Sequence, residues 1–558
     1  MGIPSYFSHI VKNYGNMIFS LKHHKKIGTT FDHLYMDCNS IIYDSYHNII
    51  KDPNYKSSPF NEYRLIQEVV RKIDEYIRMI QPTQTIFIAF DGVAPVAKMK
   101  QQRTRRYKSW YMSQRVPSQS GPEPWNTSYI TPGTSFMTQL SIHMHTAFDK
   151  TESKYGVKQV IVSSSNEPGE GEHKMFQHIR DHATTNDNAA VYGLDADLIM
   201  LAIFHYHLCK NIHVFRETPE FVKSKVINPE WNDGKSPEPI LFMDIAALST
   251  SIIDEMNCKY KDPHQIYDYA FMCFLLGNDF LPHLPCLNIR SHGIQVLMDI
   301  YRECLGTVPD AHFISKTTGN IQWKWVQKYI RDLADVEHEL LNKEYDRRSK
   351  FDTYTWSSTD VEKLIHHAPI ICRGIEKYIC PSESGWQDRY YTALFNKKQE
   401  VVKNNGSKQG RQAQASVLVL YNETNKKKIC KNYLEGLEWV FKYYTEGCVD
   451  WKWMYNYNYP PLLADLVQHI PSREKKMISV SFASNQPLSA KAQLMYVIPP
   501  ALHEQMLGPE MTAYLKKNYG YIYEESIEFD WAFCEYMWES KLKCKEIIEQ
   551  CIVATRKW

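Results

Sequence analysis

From about residue 31 to residue 290, short apolar runs alternate with stretches of helical periodicity. The runs are HLYMDCN (33–39), TIFIAFDG (85–92), KQVIVSSS (158–165), AAVYGLDAD (189–197), NIHVFRE (211–217) and ILFMDIAAL (240–248), most of them bounded by polar or turn residues. Between the first two, Tyr63, Ile66, Val69, Val70, Ile73, Ile77 and Ile80 recur at spacings of three and four, the period of an amphipathic helix. Strand and helix repeating in this way predict an α/β fold, with a mainly parallel, doubly wound sheet flanked by helices. Past about residue 300 the pattern changes to helix and loop. A polar stretch at 397–416 reads as a mobile loop, and 115–133, rich in Pro, Ser and Gly, reads as a surface loop between helices. The expected division is a domain over 1–296 and a second, helix-rich domain over 297–558 with an aromatic segment at 439–459.

Charge narrows the partners. Across 558 residues, 65 Lys and Arg face 63 Asp and Glu, so a uniformly basic, histone-like binder is excluded and any phosphate recognition must come from local clusters. One such cluster is DGVAPVAKMKQQRTRRYKSW (91–110). No pair among the 13 cysteines has Cys-x-x-Cys spacing, so no structural zinc is expected, and the cysteines read as reduced thiols of an intracellular protein. No apolar run approaches the ~20 residues of a membrane span. Gly2 is a weak match to an acylation signal and reads better as part of a buried terminus.

Several runs finish on an acid: Asp37 after HLYM, Asp91 after IFIAF, and Asp195 with Asp197 in YGLDADLIML. Glu170 and Glu172 follow KQVIVSSS at the expected start of a helix, and Asp279 closes a helix expected over about 263–277. In an open parallel sheet ligands bind beyond the carboxyl ends of the strands, so these seven carboxylates are expected to share one cleft. Singly, each could be no more than a helix cap. Together they repel one another unless cations neutralise them, and an all-oxygen set favours Mg²⁺ or Mn²⁺. Two such ions about 4 Å apart can drive phosphodiester hydrolysis. In a helix over about 95–110, Lys98, Gln102, Arg105 and Arg106 share a face that begins one turn from Asp91. A charge run is usually a solvated face, but Gln102 and the nearness of Asp91 point instead to an anchor for a second phosphate.

These residues, with MGIPSYFSHI, LYMDCNSIIY, FIAFDGVAPVAKMKQQRTRRY, SYITPGTSFM, PGEGEHK, VYGLDADLIMLAI, FLLGNDFLPHLP, GLEWVFKYYTEGCVDWKWMYNYNYPP and QLMYVIPP, resemble the Xrn-type 5′→3′ exoribonuclease family, relatives of the flap endonucleases. The resemblance implies a PIN/flap-endonuclease-like sheet and a two-metal site of Asp37, Asp91, Glu170, Glu172, Asp195, Asp197 and Asp279. It also implies a 5′-monophosphate pocket of Lys98, Gln102, Arg105 and Arg106, with Lys98 touching the scissile phosphate as well. The implied activity is processive hydrolysis of 5′-monophosphorylated single-stranded RNA to mononucleotides, in RNA decay. A flap-type endonuclease using the same metals, or a catalytically silent RNA-binding protein, are the alternatives.

Two positions depart from the family pattern. Tyr43 stands where the family commonly has His, and Val96 replaces a basic residue. Tyr43 is expected still to stack on the terminal base, opposite Trp451 or Trp453, between which the sequence does not choose. The aromatic alternation over 451–459 reads equally as a core strand. The further domains and zinc knuckle of extended family members are not expected in this chain. A cytoplasmic monomer, with possible decapping or RNA-decay partners, is expected, since no convincing basic localisation run is present.

Overall fold

The computed structural model describes residues 2–52, 60–114, 125–219, 240–354, 373–395, 423–473, 475–523 and 550–555, with a few isolated positions besides. The polar stretch 397–416 and residues 115–124 lie outside them.

Seven strands make one sheet: β1 (Ile18–Ser20), β2 (His33–Asp37), β3 (Thr85–Ala89), β4 (Gln159–Ser163), β5 (Asn188–Tyr192), β6 (Asn211–Glu217) and β7 (Ile240–Asp244). Their order is β1-β7-β6-β5-β2-β3-β4. The expected parallel core is present: β2 pairs with β3 and with β5, β3 with β4, and β5 with β6, all parallel. One strand, β7, runs the other way, and β1 beyond it runs with the core. β7 lies antiparallel to β6, with Phe242 opposite Phe215, and β1 lies antiparallel to β7. The three residues of β1 are too few to display an alternation, and only their pairing with β7 makes them a strand. Nor does the run ILFMDIAAL stay extended to residue 248. It stops at Asp244, whose carboxylate accepts the N–H of Ala247 at 3.0 Å and caps the helix Ile245–Met256.

The sheet is covered on both faces, which is why its strands read as continuous apolar runs. Alternation along each strand sorts side chains between two cores. Tyr35, Phe87, Ala89, Ala189 and Val191 enter one, and Leu34, Met36, Ile86, Ile88, Ala190 and Tyr192 the other. The second core is closed by the helices Asn39–Lys51, Glu62–Ile80 and Ser135–Phe148. Helix Glu62–Ile80 follows the predicted periodicity, with Ile66, Val69, Ile73, Ile77 and Ile80 buried, while Tyr63, in its first turn, is 55% exposed.

The first core runs without a break from the sheet into the helices Gln265–Met272, Gly293–Cys304, Trp323–Ser349 and Glu423–Thr445. Residue 296 falls inside Gly293–Cys304. The aromatic stretch 451–459 forms no strand. Its backbone carbonyls are used otherwise: that of Trp451 accepts the N–H of Val96 at 2.9 Å, and those of Tyr455 and Tyr457 accept from the Lys98 neighbour Lys100. Among the described residues no helix is long and apolar enough to cross a membrane.

Candidate active site

Because β2, β3, β4 and β5 are parallel, their carboxyl ends open on one edge. Asp37 is the last residue of β2, Asp91 lies two residues past β3, and Asp195 lies three past β5. Asp197 is the first residue of helix Asp197–His205 rather than part of a strand. Glu170 is the N-cap and Glu172 lies in the first turn of helix Gly171–His182, where the helix dipole favours negative charge. Asp279 comes from the loop after the turn Cys273–Leu276. All seven therefore border one cleft, with Asp195 exposed and Glu170, Glu172 and Asp197 buried.

Such crowding needs close backbone approach. The Gly171 N–H donates to Asp91 Oδ1 at 2.7 Å, and a Cβ on Gly171 would come within 2.7 Å of Asp37 Oδ1. Asn39, which sequence reading passed over, donates its amide to Asp91 Oδ2 and accepts the Asp91 N–H at 3.2 Å. Gly2, buried and at φ +47°, packs so tightly that a Cβ would overlap Asp197 Oδ1.

Lys98 supplies the internal counter-charge. Its Nζ lies 2.5 Å from Glu170 Oε2 and 2.7 Å from Asp279 Oδ2. Burial opposes the charge of Asp279, yet Lys98 holds that carboxyl down at about 2. Burial, reinforced by Asp279, instead pushes Asp197 up to about 6. Asp37 is raised by burial and by Asp91 and Asp195, and Glu172 by burial and by Asp197.

The unmet demand is local. Asp37 Oδ1, Glu172 Oε2 and Asp197 Oδ1 are buried without a hydrogen-bond partner. Oxygens of this kind fit a hard divalent cation, because an unpaired buried carboxylate is costly and a cation with oxygen preference removes that cost. Ligand atoms of Glu170, Glu172 and His173 also lie within 4.8 Å of one another, which brings a nitrogen donor to the edge of the oxygen set.

The basic helix, Val96–Ser113, distributes its cations around its axis. Lys98 enters the acid cluster. Arg103 is buried, donating to the carbonyl of Tyr496 and lying over the rings of Tyr107 and Tyr496. Gln102 Oε1 accepts from Gln493 at 3.2 Å, and Arg106 is anchored on Thr131 Oγ1 at 2.7 Å, near Tyr43 and within reach of the charge of Asp91. Arg105 alone of the four expected pocket residues is exposed. The opposite side of the helix start is apolar: Val96 is 2% exposed and packs with Val93, Met99 and Leu494.

The aromatic candidates separate. Tyr43, half-buried, sits in helix Asn39–Lys51 near Arg106. Trp453 is 8% exposed and stacks on Trp439 at 5.1 Å, in the core, whereas Trp451 is half-buried. Sequence reading also missed Tyr443, whose hydroxyl donates to Glu170 Oε1 at 2.7 Å, and Tyr444, buried near Asp197. Both lie more than 240 residues from the acids they approach, and no spacing rule reaches that far.

Known proteins match most of the chain. A family model described as "XRN 5'-3' exonuclease N-terminus" matches residues 1–218, and one described as "Xrn1 helical domain" matches 259–377 and 374–539. The chain belongs to the Xrn 5′-3′ exonuclease family. Among its Xrn relatives, the 5′-3′ exoribonuclease 2 homolog of Drosophila melanogaster is 26% identical over 91% of this chain and 65% of its own length. The 5′-3′ exoribonuclease 2 of Arabidopsis thaliana is 24% identical over 99% and 66%, and the Homo sapiens 5′-3′ exoribonuclease 1 is 26% identical over 90% and 30%. The chain thus spans about two thirds or less of these Xrn proteins. The catalytic core of Rad2 in complex with DNA substrate shows a distant likeness, with a TM-score of 0.30 and 14% identity over 65% of this chain and 80% of that one.

Proposed function

We propose that the protein is a 5′→3′ exoribonuclease that hydrolyses single-stranded RNA processively from a 5′-monophosphate end, releasing mononucleotides with Mg²⁺ or Mn²⁺. The observation that carries this reading is one helix, Val96–Ser113, joining two kinds of site. Its first turn puts Lys98 between Glu170 and Asp279, and two turns later the same face presents Arg105, exposed, beside the anchored Arg106 and Gln102. Family membership supports the same reading.

Asp37, Glu172 and Asp197, with the partnerless oxygens, would hold the cations together with Asp91, Glu170, Asp195 and Asp279. Bound there, two divalent ions supply an activated water and stabilise the leaving oxygen. The remaining work falls to side chains of the chain itself. Lys98 offsets the charge of a phosphate brought against the acids, and the arginines and Gln102 grip the terminal phosphate with charge-assisted hydrogen bonds. Tyr43 and the half-buried Trp451 offer ring faces to a terminal base, and stacking tolerates any base.

The test is digestion of one unstructured RNA, labelled at its 3′ end, in Mg²⁺ and carrying a 5′-monophosphate, 5′-hydroxyl or 5′-triphosphate. Loss of the monophosphate substrate alone, without partly shortened products, is expected. Equal cutting of all three to discrete internal fragments would overturn the reading in favour of an endonuclease.

A further inference from the structure

The helix Glu423–Thr445 comes from the second half of the chain, yet it reaches the acid cluster of the first. Gly436 lets it approach closely, since a Cβ there would lie 2.5 Å from Leu281 and 3.0 Å from Trp453. From Trp453 a column of rings runs toward the site. Trp453 stacks on Trp439 at 5.1 Å, Trp439 on Tyr443 at 4.7 Å, and Tyr443 on His173 at 3.6 Å. Phe280 meets the edges of Trp439 and Tyr443 at 5.0 and 5.4 Å. His173 follows Glu172 and Phe280 follows Asp279, so the Tyr443 ring braces two acid-bearing segments at once.

The hydroxyl of Tyr443, at 2.7 Å from Glu170 Oε1, acts where Lys98 does not. Lys98 takes Oε2, so Glu170 is pinned from two sides and its side-chain torsions are fixed. Tyr444, the next residue, is buried near Asp197. We infer that Tyr443 is a positioning residue through which the second half of the chain orients Glu170 as a cation ligand. This rests on the metal site of the proposed function. It also assigns the helix a role in cation affinity in addition to packing.

Groups that hold metal ligands in place typically contribute about 10- to 100-fold in affinity or activity. The variant Tyr443→Phe keeps the ring column and deletes only the hydroxyl. Mn²⁺ binding to the full-length protein without RNA, followed by electron paramagnetic resonance, is expected to weaken about tenfold in Y443F. The melting temperature in EDTA should stay near that of the wild type. The half-saturating Mg²⁺ concentration for RNA hydrolysis should rise by the same factor, with the rate at saturating Mg²⁺ little changed. Combining Y443F with Glu170→Gln should add nothing to the effect of E170Q alone, because the tyrosine acts through that carboxylate.

Wild-type Mn²⁺ affinity in Y443F, additivity with E170Q, or no Mn²⁺ binding by the wild type would each overturn the inference. A weakened Mn²⁺ affinity in a protein that leaves RNA intact would uphold the positioning role and reject the nuclease reading alone.

Discussion

Lys98 and Asp37 sit in the same cluster with opposite charges, and removing them should move stability in opposite directions. Lys98→Gln strands Glu170 and Asp279, and breaking a buried ion pair from one side costs about 3–5 kcal/mol. Its melting temperature in EDTA should therefore fall, and Mg²⁺ should narrow the gap by taking over the neutralisation. Asp37→Asn removes a charge that burial, Asp91 and Asp195 all disfavour. Metal-free D37N should melt above the wild type while RNA hydrolysis drops to background. Calorimetry of both variants with and without Mg²⁺ checks the pair. Equal and same-signed shifts would mean that the acids are not in mutual repulsion. Asp37 and Asp91 were legible as members of the acid cluster because an acid closing an apolar run needs a reason to be there. Asn39, Gln101, whose amide donates to Asp279 Oδ1 at 3.3 Å, and Tyr443 were not, because an amide or a hydroxyl in a helix gives no such contrast until its partner is in place.

Among the elements, the basic helix does most to connect fold with chemistry. Its six cations looked alike in sequence, and the fold gave them different tasks. Arg105→Ala should lower the preference for 5′-monophosphate over 5′-hydroxyl RNA about tenfold or more, since one charge-assisted contact is lost, with the melting temperature unchanged. Arg106→Ala should lower the same preference and also destabilise, because its guanidinium holds Thr131 and Ile130 in the turn before helix Ser135–Phe148. The ratio of kcat/KM on the two RNAs, beside a thermal melt, separates these outcomes. An unchanged ratio in both variants would reduce the helix to a solvated face. The amphipathic periods of the sheet-flanking helices were readable in advance. The reversed direction of β7 was not, because strand direction depends on where the connecting chain returns.

In the molecule as a whole, buried histidines and buried acids pull pH dependence in opposite senses. Burial holds His24, His178, His283 and His503 down at about 4 and His205 at about 3, from an ordinary value of 6.5. Below that value the unfolded chain takes up protons that the folded chain refuses. Stability from these groups is complete above about pH 6.5 and is lost as pH falls from there. Asp37, Glu172 and Asp197, raised by burial, act the other way. The folded, metal-free protein accepts protons there that the unfolded chain does not, which adds stability as pH falls, for Asp197 through about 6. A bound cation keeps them deprotonated and cancels that gain. The melting temperature in Mg²⁺ should thus be level above about pH 6.5 and fall steeply below it, while the curve in EDTA falls less. Parallel curves would place the cations away from these three acids.

By itself the sequence determined the parallel α/β core, the seven acids and the basic helix, because these are written in local periods of two and 3.6 and in acids that interrupt apolar runs. The tertiary structure alone decided which cation faces the acids, which tryptophan is buried, and that a helix from beyond residue 420 supplies a hydrogen bond to a carboxylate from before residue 200. Those are contacts between segments far apart in the chain. Local pattern carries no record of them, and only packing on the shared core brings them within hydrogen-bonding distance.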